Sequence, residues 1–309
     1  MPEKPVIIAT RGSALALTQA NLIFDTCREA FPRLAFEVKI IKTTGDKLQT
    51  ASLAKAGDSI PKGLFTKELE VALVRQKADL AVHSLKDVPA KIDIQYSIAA
   101  IFEREDPSDV LLSRNGSSLT DFPSNASIGT SSPRRKAQIL RARTDLNIIP
   151  VRGNISTRIR KLHEGHFDGL IVAKAALNRL NMELTNAYEF SMQEMLPAAS
   201  QGFIGVECLK SKEEIMSIMN SINNSSQMAL ANAEREFVAH LNGSCLSPIA
   251  ILCKEELYGI NISAKVLSQN GQKEIYREIK SSYENLTQDI HSLAEDFISN
   301  DAHLIILEQ

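Results

Sequence analysis

Ala78-Asp-Leu-Ala-Val-His-Ser-Leu-Lys-Asp-Val-Pro-Ala90 follows a run with helical spacing and changes character halfway along. Leu80 to Val82 reads as a buried strand, and His83, Ser84, Lys86, Asp87 and Pro89 form a polar tip. Strands of an open α/β sheet present ligand-binding groups at their carboxyl ends, so Lys86 and Asp87 sit where chemistry is usually done. Taken alone, the tip fits two readings. One is a turn with a solvated ion pair, worth little. The other is a carboxylate in a basic cleft, facing a developing cation or moving a proton. His83 reads equally as a satisfied strand-end histidine or a catalyst. Glu68, Glu70 and Glu207 read as structural.

Upstream of this stretch, Lys62-Gly-Leu-Phe65 opens a helix to about Gln76, with Leu69, Ala72 and Leu73 inward. Further upstream, Val6 to Ala9 is a strand, Thr10-Arg11-Gly12-Ser13 a polar turn, and Ala14 to Ala30 a helix capped by Ser13. The first-turn amides of such a helix make an anion site. Phe36 to Ile41 is a second strand, followed by a polar loop from Lys42 to Lys47. Strand, helix, strand in this rhythm is a βαβ unit. Ile98 to Phe102 and Val110 to Ser113 add strands, with Arg104 to Asp109 as a crossover or hinge between them.

The plan then repeats. Ser127-Ile-Gly-Thr-Ser-Ser-Pro-Arg-Arg135 matches the first strand, hydroxyl turn and helix start, with Ser132 as N-cap and Pro133 as first helical residue. Arg152-Gly-Asn-Ile-Ser-Thr-Arg158 opens a helix that leads into Phe167-Asp-Gly-Leu-Ile-Val-Ala173, echoing Lys62 to Val82. Two α/β domains of similar plan are expected, forming a cleft that closes on anions. Phe203 to Val206 returns the chain to the first domain, a helix runs from about Ser211 to Asn220, and Asn223 to Ser226 is a turn or linker. After Met228 the style changes: one helix, strands at Ile249 to Cys253, Tyr258 to Leu267 and Glu274 to Ile279, an Asn270-Gly271 hairpin turn, and a helix from Leu286 to Ser299. The expected domains are 1–103 with 203–222, then 104–202, then a small antiparallel α+β domain over 223–309.

The 309 residues carry 44% hydrophobic and 23% charged side chains, ordinary for a globular chain, and a net charge of -2 gives no signal for nucleic acid or membrane. Positive charge is local instead. Arg141 and Arg160 read as solvated, whereas Arg134, Arg135, Arg152 and Arg158 stand at loop-to-helix junctions. Arginine suits bidentate carboxylate or phosphate recognition, and there is no GxxxxGK[ST] or GxGxxG to support a nucleotide. Cys27, Cys208, Cys245 and Cys253 have no zinc spacing, so no metal and a reducing cytoplasm are expected. No signal peptide or bilayer-spanning run is read. Cys27 falls on an apolar stripe. Cys245, in Gly243-Ser-Cys-Leu-Ser-Pro248, does not; it reads as a domain-edge thiol or as a covalent attachment point or nucleophile.

Taken in order, Ala9-Thr-Arg-Gly-Ser13, Lys62-Gly-Leu-Phe65, His83-Ser-Leu-Lys-Asp-Val-Pro89, Gly129-Thr-Ser-Ser-Pro-Arg-Arg135, Arg152-Gly-Asn154 with Arg158, Leu196-Pro-Ala198 with Gln201-Gly202, and Gly243-Ser-Cys245 with Pro248 resemble the porphobilinogen deaminase family, from about Ile7 through Ile249. The resemblance implies two similar domains like those of periplasmic binding proteins, plus a small C-terminal α+β domain with a three-stranded antiparallel sheet. It implies hydroxymethylbilane synthesis: four porphobilinogens condensed stepwise on a dipyrromethane cofactor, with ammonia lost and water releasing the linear tetrapyrrole. A thioether on Cys245 is to hold the cofactor, with Lys86, Thr130, Ser131, Ser132, Arg134 and Arg135 around it. Arg11, Ser13, Gln19, Arg152, Arg158, Arg179 and Gln201 are to bind porphobilinogen and the growing polypyrrole chain. Asp87, with Lys86, is to be catalytic. The implied state is a cytoplasmic monomer that hands its product to the next enzyme of the pathway.

Three positions depart from the family pattern. Ser200 and Ser244 stand where glycine is usual, and Pro133 replaces an apolar residue. Two rival functions are compatible with the same residues. A two-lobed anion-binding module would need neither a reactive carboxylate nor a covalent pigment, and a phosphate-handling enzyme would bind phosphate esters strongly.

Overall fold

β1 (Val6–Thr10) has β-branched side chains at four of its five positions, a composition that suits a pleated, buried surface. In the computed structural model, which describes residues 4–43, 66–114, 116–182 and 186–308, β1 lies near the middle of a five-stranded sheet. It pairs in parallel with β2 (Phe36–Ile40) and β3 (Leu80–Ser84). Beyond β3, β10 (Ile204–Leu209) runs antiparallel between β3 and β4 (Tyr96–Ile101). The Lys62–Phe65 motif and most of the loop after Lys42 lie outside the described residues.

Successive strand residues point to opposite faces, and helices cover both. On one face α1 (Ala14–Ala30) lays Ala20, Ile23 and Cys27 over Ile8, Leu80 and Val82, joined by Ile215 and Met219 of α6 (Glu213–Ser221). On the other, α2 (Lys67–Val74) sets Leu69, Ala72 and Leu73 against Ala9 and Ala81.

The second sheet repeats this order. β6 (Ser127–Gly129) pairs in parallel with β7 (Asn147–Ile149) and β8 (Gly169–Ala173), and β5 (Asp109–Ser113) runs antiparallel between β8 and β9 (Ala187–Glu189). α3 (Pro133–Ala142) packs Ile139 with Leu111, Ile128 and Ile171. On the other face, α4 (Ile155–His163) and α5 (Lys174–Arg179) pack Ile159, Leu162 and Leu177 with Val110, Leu170 and Val172. The likeness extends to one side chain. Asp79 accepts the Ile7 amide at 3.0 Å and donates its own amide to the Ile7 carbonyl. Asp168 does the same with Ser127, at 2.8 Å.

α7 (Ser225–His240) begins earlier than the sequence suggests. Asn224 accepts the Gln227 amide at 3.2 Å, so part of the expected linker is a capped helix start. A three-stranded antiparallel sheet follows, β11 (Ile249–Glu256), β12 (Gly259–Leu267) and β13 (Glu274–Ser281). Ile260, Ile262, Ala264 and Val266 alternate inward along β12. α8 (Leu286–Ser299) buries Leu286, Ile290, Leu293 and Phe297, and Phe297 meets Phe237 of α7 edge-on at 5.1 Å. α9 (Ala302–Leu307) closes the described chain.

The chain divides into two compact units, Met1–Arg104 with Phe203–Met228, and Glu105–Gly202 with Ala229–Gln309. The C-terminal sheet shares its unit with the second α/β sheet, for visible reasons. Leu196 packs on Ala250 and Leu252. Gly271, at φ +73°, lies so close to α3 that a Cβ would stand 2.4 Å from the Ala137 carbonyl oxygen. Arg141, read as solvated, donates to the Gln272 carbonyl at 2.9 Å.

Candidate active site

In the first unit, the tip of β3 turns at once into a 3-10 turn, Leu85–Asp87. Leu85 is buried and anchors that turn: its amide donates to the Phe203 carbonyl at 3.0 Å, and its side chain lies over Gly205 of β10. A Cβ on Gly205 would stand 2.7 Å from Leu85 Cδ1, so the glycine leaves room for the Leu85 side chain that a larger residue would have to displace. The anchor raises Asp87 into a pocket also lined by Arg11, Ser13, Gln19, Thr66, His83 and Ser84. Asp87 is exposed, and its carboxylate accepts no hydrogen bond from the described residues. Ser13 caps α1 by accepting the Ala16 amide at 3.3 Å, and Gln19 donates to Ser84 Oγ at 2.9 Å. Four expected site residues therefore share one pocket: Arg11, Ser13, Gln19 and Asp87. Lys86 sits half-buried beside Asp87 in the same turn.

In the second unit, Ser132 caps α3 by accepting the Arg135 amide at 3.4 Å, and Thr130 accepts the Ser132 amide at 3.2 Å. Ser131 is tied to Val151, donating to its carbonyl at 2.8 Å and accepting from its amide at 2.9 Å. Arg134 and Arg135 stand at the loop-to-helix junction as expected, yet both side chains turn inward. They share Asp109, Arg134 Nη2 donating to Oδ2 at 2.7 Å and Arg135 Nη2 to Oδ1 at 2.6 Å. Arg134 also donates to the Leu196 carbonyl at 2.7 Å and Arg135 to the Ile171 carbonyl at 2.9 Å. Gln201 joins the group, donating to Asp109 at 2.9 Å and to the Pro107 carbonyl at 2.7 Å. Burial pushes the Arg134 pKa below its ordinary value, and Arg135 adds to this while Asp109 opposes it.

Arg152 is exposed, and its guanidinium makes no hydrogen bond or ion pair with the described residues. Arg158 donates from Nε to the Gly153 carbonyl at 2.7 Å. Arg179 donates to the Gly202 carbonyl at 2.6 Å, and burial lowers its pKa. Cys245 is exposed in a loop that bonds to itself: the Ser244 amide donates to Ser247 Oγ at 3.1 Å and Ser244 Oγ accepts the Leu246 amide at 3.2 Å. Cys27, Cys208 and Cys253 are buried, and burial pushes the thiols of Cys27 and Cys208 up to about 11.

A model of one protein family, described as "Porphobilinogen deaminase, dipyromethane cofactor binding domain", matches residues 6–217, and the "C-terminal domain" of the same family matches 228–298. The chain belongs to the porphobilinogen deaminase family. The porphobilinogen deaminase of Campylobacter hominis is 44% identical over 302 residues, covering 96% of this chain and 95% of that one. That of Lawsonia intracellularis is 44% identical over 256 residues, 82% of each chain. Among solved structures, the Bordetella pertussis BvgS periplasmic VFT2 domain overlays with a TM-score of 0.43 at 13% identity, covering 74% of this chain and 92% of that one.

Sequence reasoning did not single out Asp109. The available signal was a carboxylate at the head of the apolar run Val110-Leu-Leu112, where a buried acid needs a partner. It also left Glu207 as merely structural, although the side chain reaches the wall of the Asp87 pocket through His83.

Ser200 keeps the backbone conformation that glycine favours. Its φ is +61°, in the left-handed region, which costs a non-glycine residue about 1 kcal/mol. Its side chain returns little, a 3.5 Å contact to the Ala231 carbonyl. Ser200→Gly is expected to raise unfolding stability by about 0.5–1 kcal/mol, read as a higher urea midpoint. A lower midpoint would mean that the Ser200 hydroxyl outweighs the strain.

Proposed function

We propose that this chain is a hydroxymethylbilane synthase, a transferase that condenses four porphobilinogens head to tail on a dipyrromethane primer, releases one ammonia per addition, and frees the linear tetrapyrrole by hydrolysis. The observation that carries it is the Asp87 carboxylate, without a partner among the described residues, raised on an anchored turn into a pocket with Arg11, in a chain of this family.

The chemistry follows from charge. Loss of ammonia from porphobilinogen leaves an electron-poor methylene-pyrroleninium. A carboxylate beside the ring N–H stabilises that cation as it forms, which is where electrostatic catalysis has most effect. Arg11 takes a ring carboxylate in the same pocket, with the amides at the start of α1 behind it. Every ring brings acetate and propionate groups, and Lys86, Arg152, Arg158 and Arg179 supply cations for the lengthening chain.

The residues fit the cofactor. Two buried guanidiniums share the Asp109 carboxylate, and the Nε atoms of Arg134 and Arg135 are buried with no hydrogen-bond partner among the described residues. Such a cluster is short of anionic acceptors, which a carboxylate-bearing pyrrole supplies. Arg134 and Arg135, with Thr130, Ser131, Ser132 and Lys86, are the residues to hold it, and Cys245 is the exposed thiol to bond it. The bound primer supplies a free pyrrole α-carbon as nucleophile. No helix among the described residues is long and apolar enough to cross a membrane. A cytoplasmic monomer that passes its product to the next enzyme completes the reading.

The test is an intact mass of the denatured, purified chain with a pyrrole colour reaction on the same sample. Excess mass of two pyrrole units, mapped to Cys245 and lost in Cys245→Ala, is expected. A pigment retained by Cys245→Ala would place the bond elsewhere. A chain that gains no mass with porphobilinogen and releases no ammonia would return the function to an anion-binding module.

A further inference from the structure

β10 carries a carboxylate where an apolar side chain belongs. Ile204 to Cys208 are all buried, and Glu207 among them is 0% exposed. Burying a carboxylate is costly, and a purely structural position is served as well by an apolar residue. Glu207 opposes Ala81 in the antiparallel pair while Gly205 opposes His83, so Glu207 reaches diagonally along one face to the histidine. Its Oε2 lies 2.9 Å from His83 Nε2, and its Oε1 has no partner among the described residues. His83 in turn lines the pocket that holds Asp87. With Glu207 taking Nε2, Nδ1 is the ring nitrogen left for a group in that pocket. Among the described residues, the titratable groups around the pair are Glu70 on α2, Tyr96 on β4 and Cys208 on β10, with Asp87 and Arg11 in the pocket. Burial raises the Glu70 pKa, Glu207 adds to the rise and His83 opposes it, as expected of groups sharing one field.

The proposed reaction needs a base that Asp87 is poorly placed to be. Each addition puts the methylene on a pyrrole α-carbon that still carries its hydrogen, and that proton must leave before the ring is aromatic again. Asp87 is at that moment occupied as the counter-ion of the ring nitrogen. We propose that His83 accepts this proton at Nδ1, with Glu207 positioning the imidazole in its Nε2–H tautomer and stabilising the imidazolium. The inference rests on the function proposed above. The ring C–H bond breaks, and its electron pair restores the aromatic ring. The proton passes to Nδ1 and then to the departing ammonia, which leaves as ammonium, so neither an oxidant nor a further reactant is required. The arrangement follows the logic by which a buried carboxylate fixes a catalytic histidine.

Two variants test it in the cofactor-loaded enzyme, with porphobilinogen deuterated at its free α-carbon as probe. In His83→Gln, which keeps a donor for Glu207, kcat is expected to fall about 100-fold with KM little changed. The deuterated substrate is expected to react several-fold more slowly than the protiated one, because proton removal becomes limiting. Glu207→Gln donates to Nε2, forces the proton onto Nδ1, and is expected to show the same isotope effect. Imidazole 15N spectra of the apoprotein give a second readout, with His83 expected as the Nε2–H tautomer in the parent and altered in Glu207→Gln. Near-parental kcat in both variants, a fall in kcat with no isotope effect, or a parent His83 in the Nδ1–H tautomer overturns the proposal. A parent enzyme that releases no ammonia from porphobilinogen overturns the function and this step together, whereas loss confined to the variants leaves the function standing.

Discussion

Asp87→Asn is expected to fold normally and to lose about 10³-fold in turnover. The side chain is exposed, and among the described residues it accepts no hydrogen bond, so exchanging it for an isosteric amide removes no internal contact. Thermal unfolding should therefore be close to the parent's. What is lost is a full negative charge opposite the cation that forms when ammonia departs. An amide still bonds the ring N–H but offers only a dipole, and the difference grows as charge develops, so kcat falls much more than KM rises. Ammonia release timed on pre-loaded enzyme reads this directly. Near-normal turnover would remove Asp87 from the chemistry and hand the cation to another group.

The largest effect on stability is expected at Asp109, which no substrate need touch. Asp109→Asn should destabilise the protein by about 3–5 kcal/mol. The carboxylate is fully buried at the head of β5 and accepts from Arg134, Arg135 and Gln201. Without its charge Arg134 and Arg135, 3% and 7% exposed, keep their guanidiniums in the interior with no compensating anion among the described residues, and the asparagine NH2 points a donor at donors. The damage should not stay local, because Arg134 and Gln138 also hold the Leu196 carbonyl that precedes Gln201. Urea unfolding followed by circular dichroism measures it. A loss under 1 kcal/mol would mean that the arginines relax toward water, and would show the cluster to be far less sealed than its exposure indicates.

Much of this fold was legible where a residue carries its own local instruction. The bounds of α1 follow from Ser13 and the stripe through Ile23 and Cys27, and those of α8 from the spacing of Leu286, Ile290, Leu293 and Phe297. The doubling of the α/β plan was visible because strand, hydroxyl turn and capped helix recur as a set. β7 and β9 escaped notice because three-residue edge strands have too few positions to show a period. The linker expected at Asn223–Ser226 is half helix, since an asparagine before a run of polar residues serves a turn and an N-cap equally well.

At the candidate site, the positions of Arg11, Ser13, Gln19 and Asp87 were foreshadowed by their places at a strand end or in a first helical turn. Their partners were not. Asp109 lies 25 residues from Arg134, and His83 lies 124 from Glu207. Neither separation leaves a mark in periodicity or composition, because tertiary contacts of this kind are set by which strands become neighbours.

The place of β10 has a consequence for how the protein is made. It is not an edge strand: it fills the gap between β3 and β4, and it is translated only after the whole second α/β sheet. A ribosome adding roughly 5–20 residues per second needs on the order of ten seconds to travel from Ile101 to Leu209. Throughout that interval β3 and β4 have no partner between them, and Leu80, Val82 and Ala100 lack the apolar strand that later seals them. The nascent amino-terminal segment is thus an open template for other strands until the chain returns. A messenger cut before Phe203 yields a product in which neither Leu85 nor His83 has its partner from the late segment.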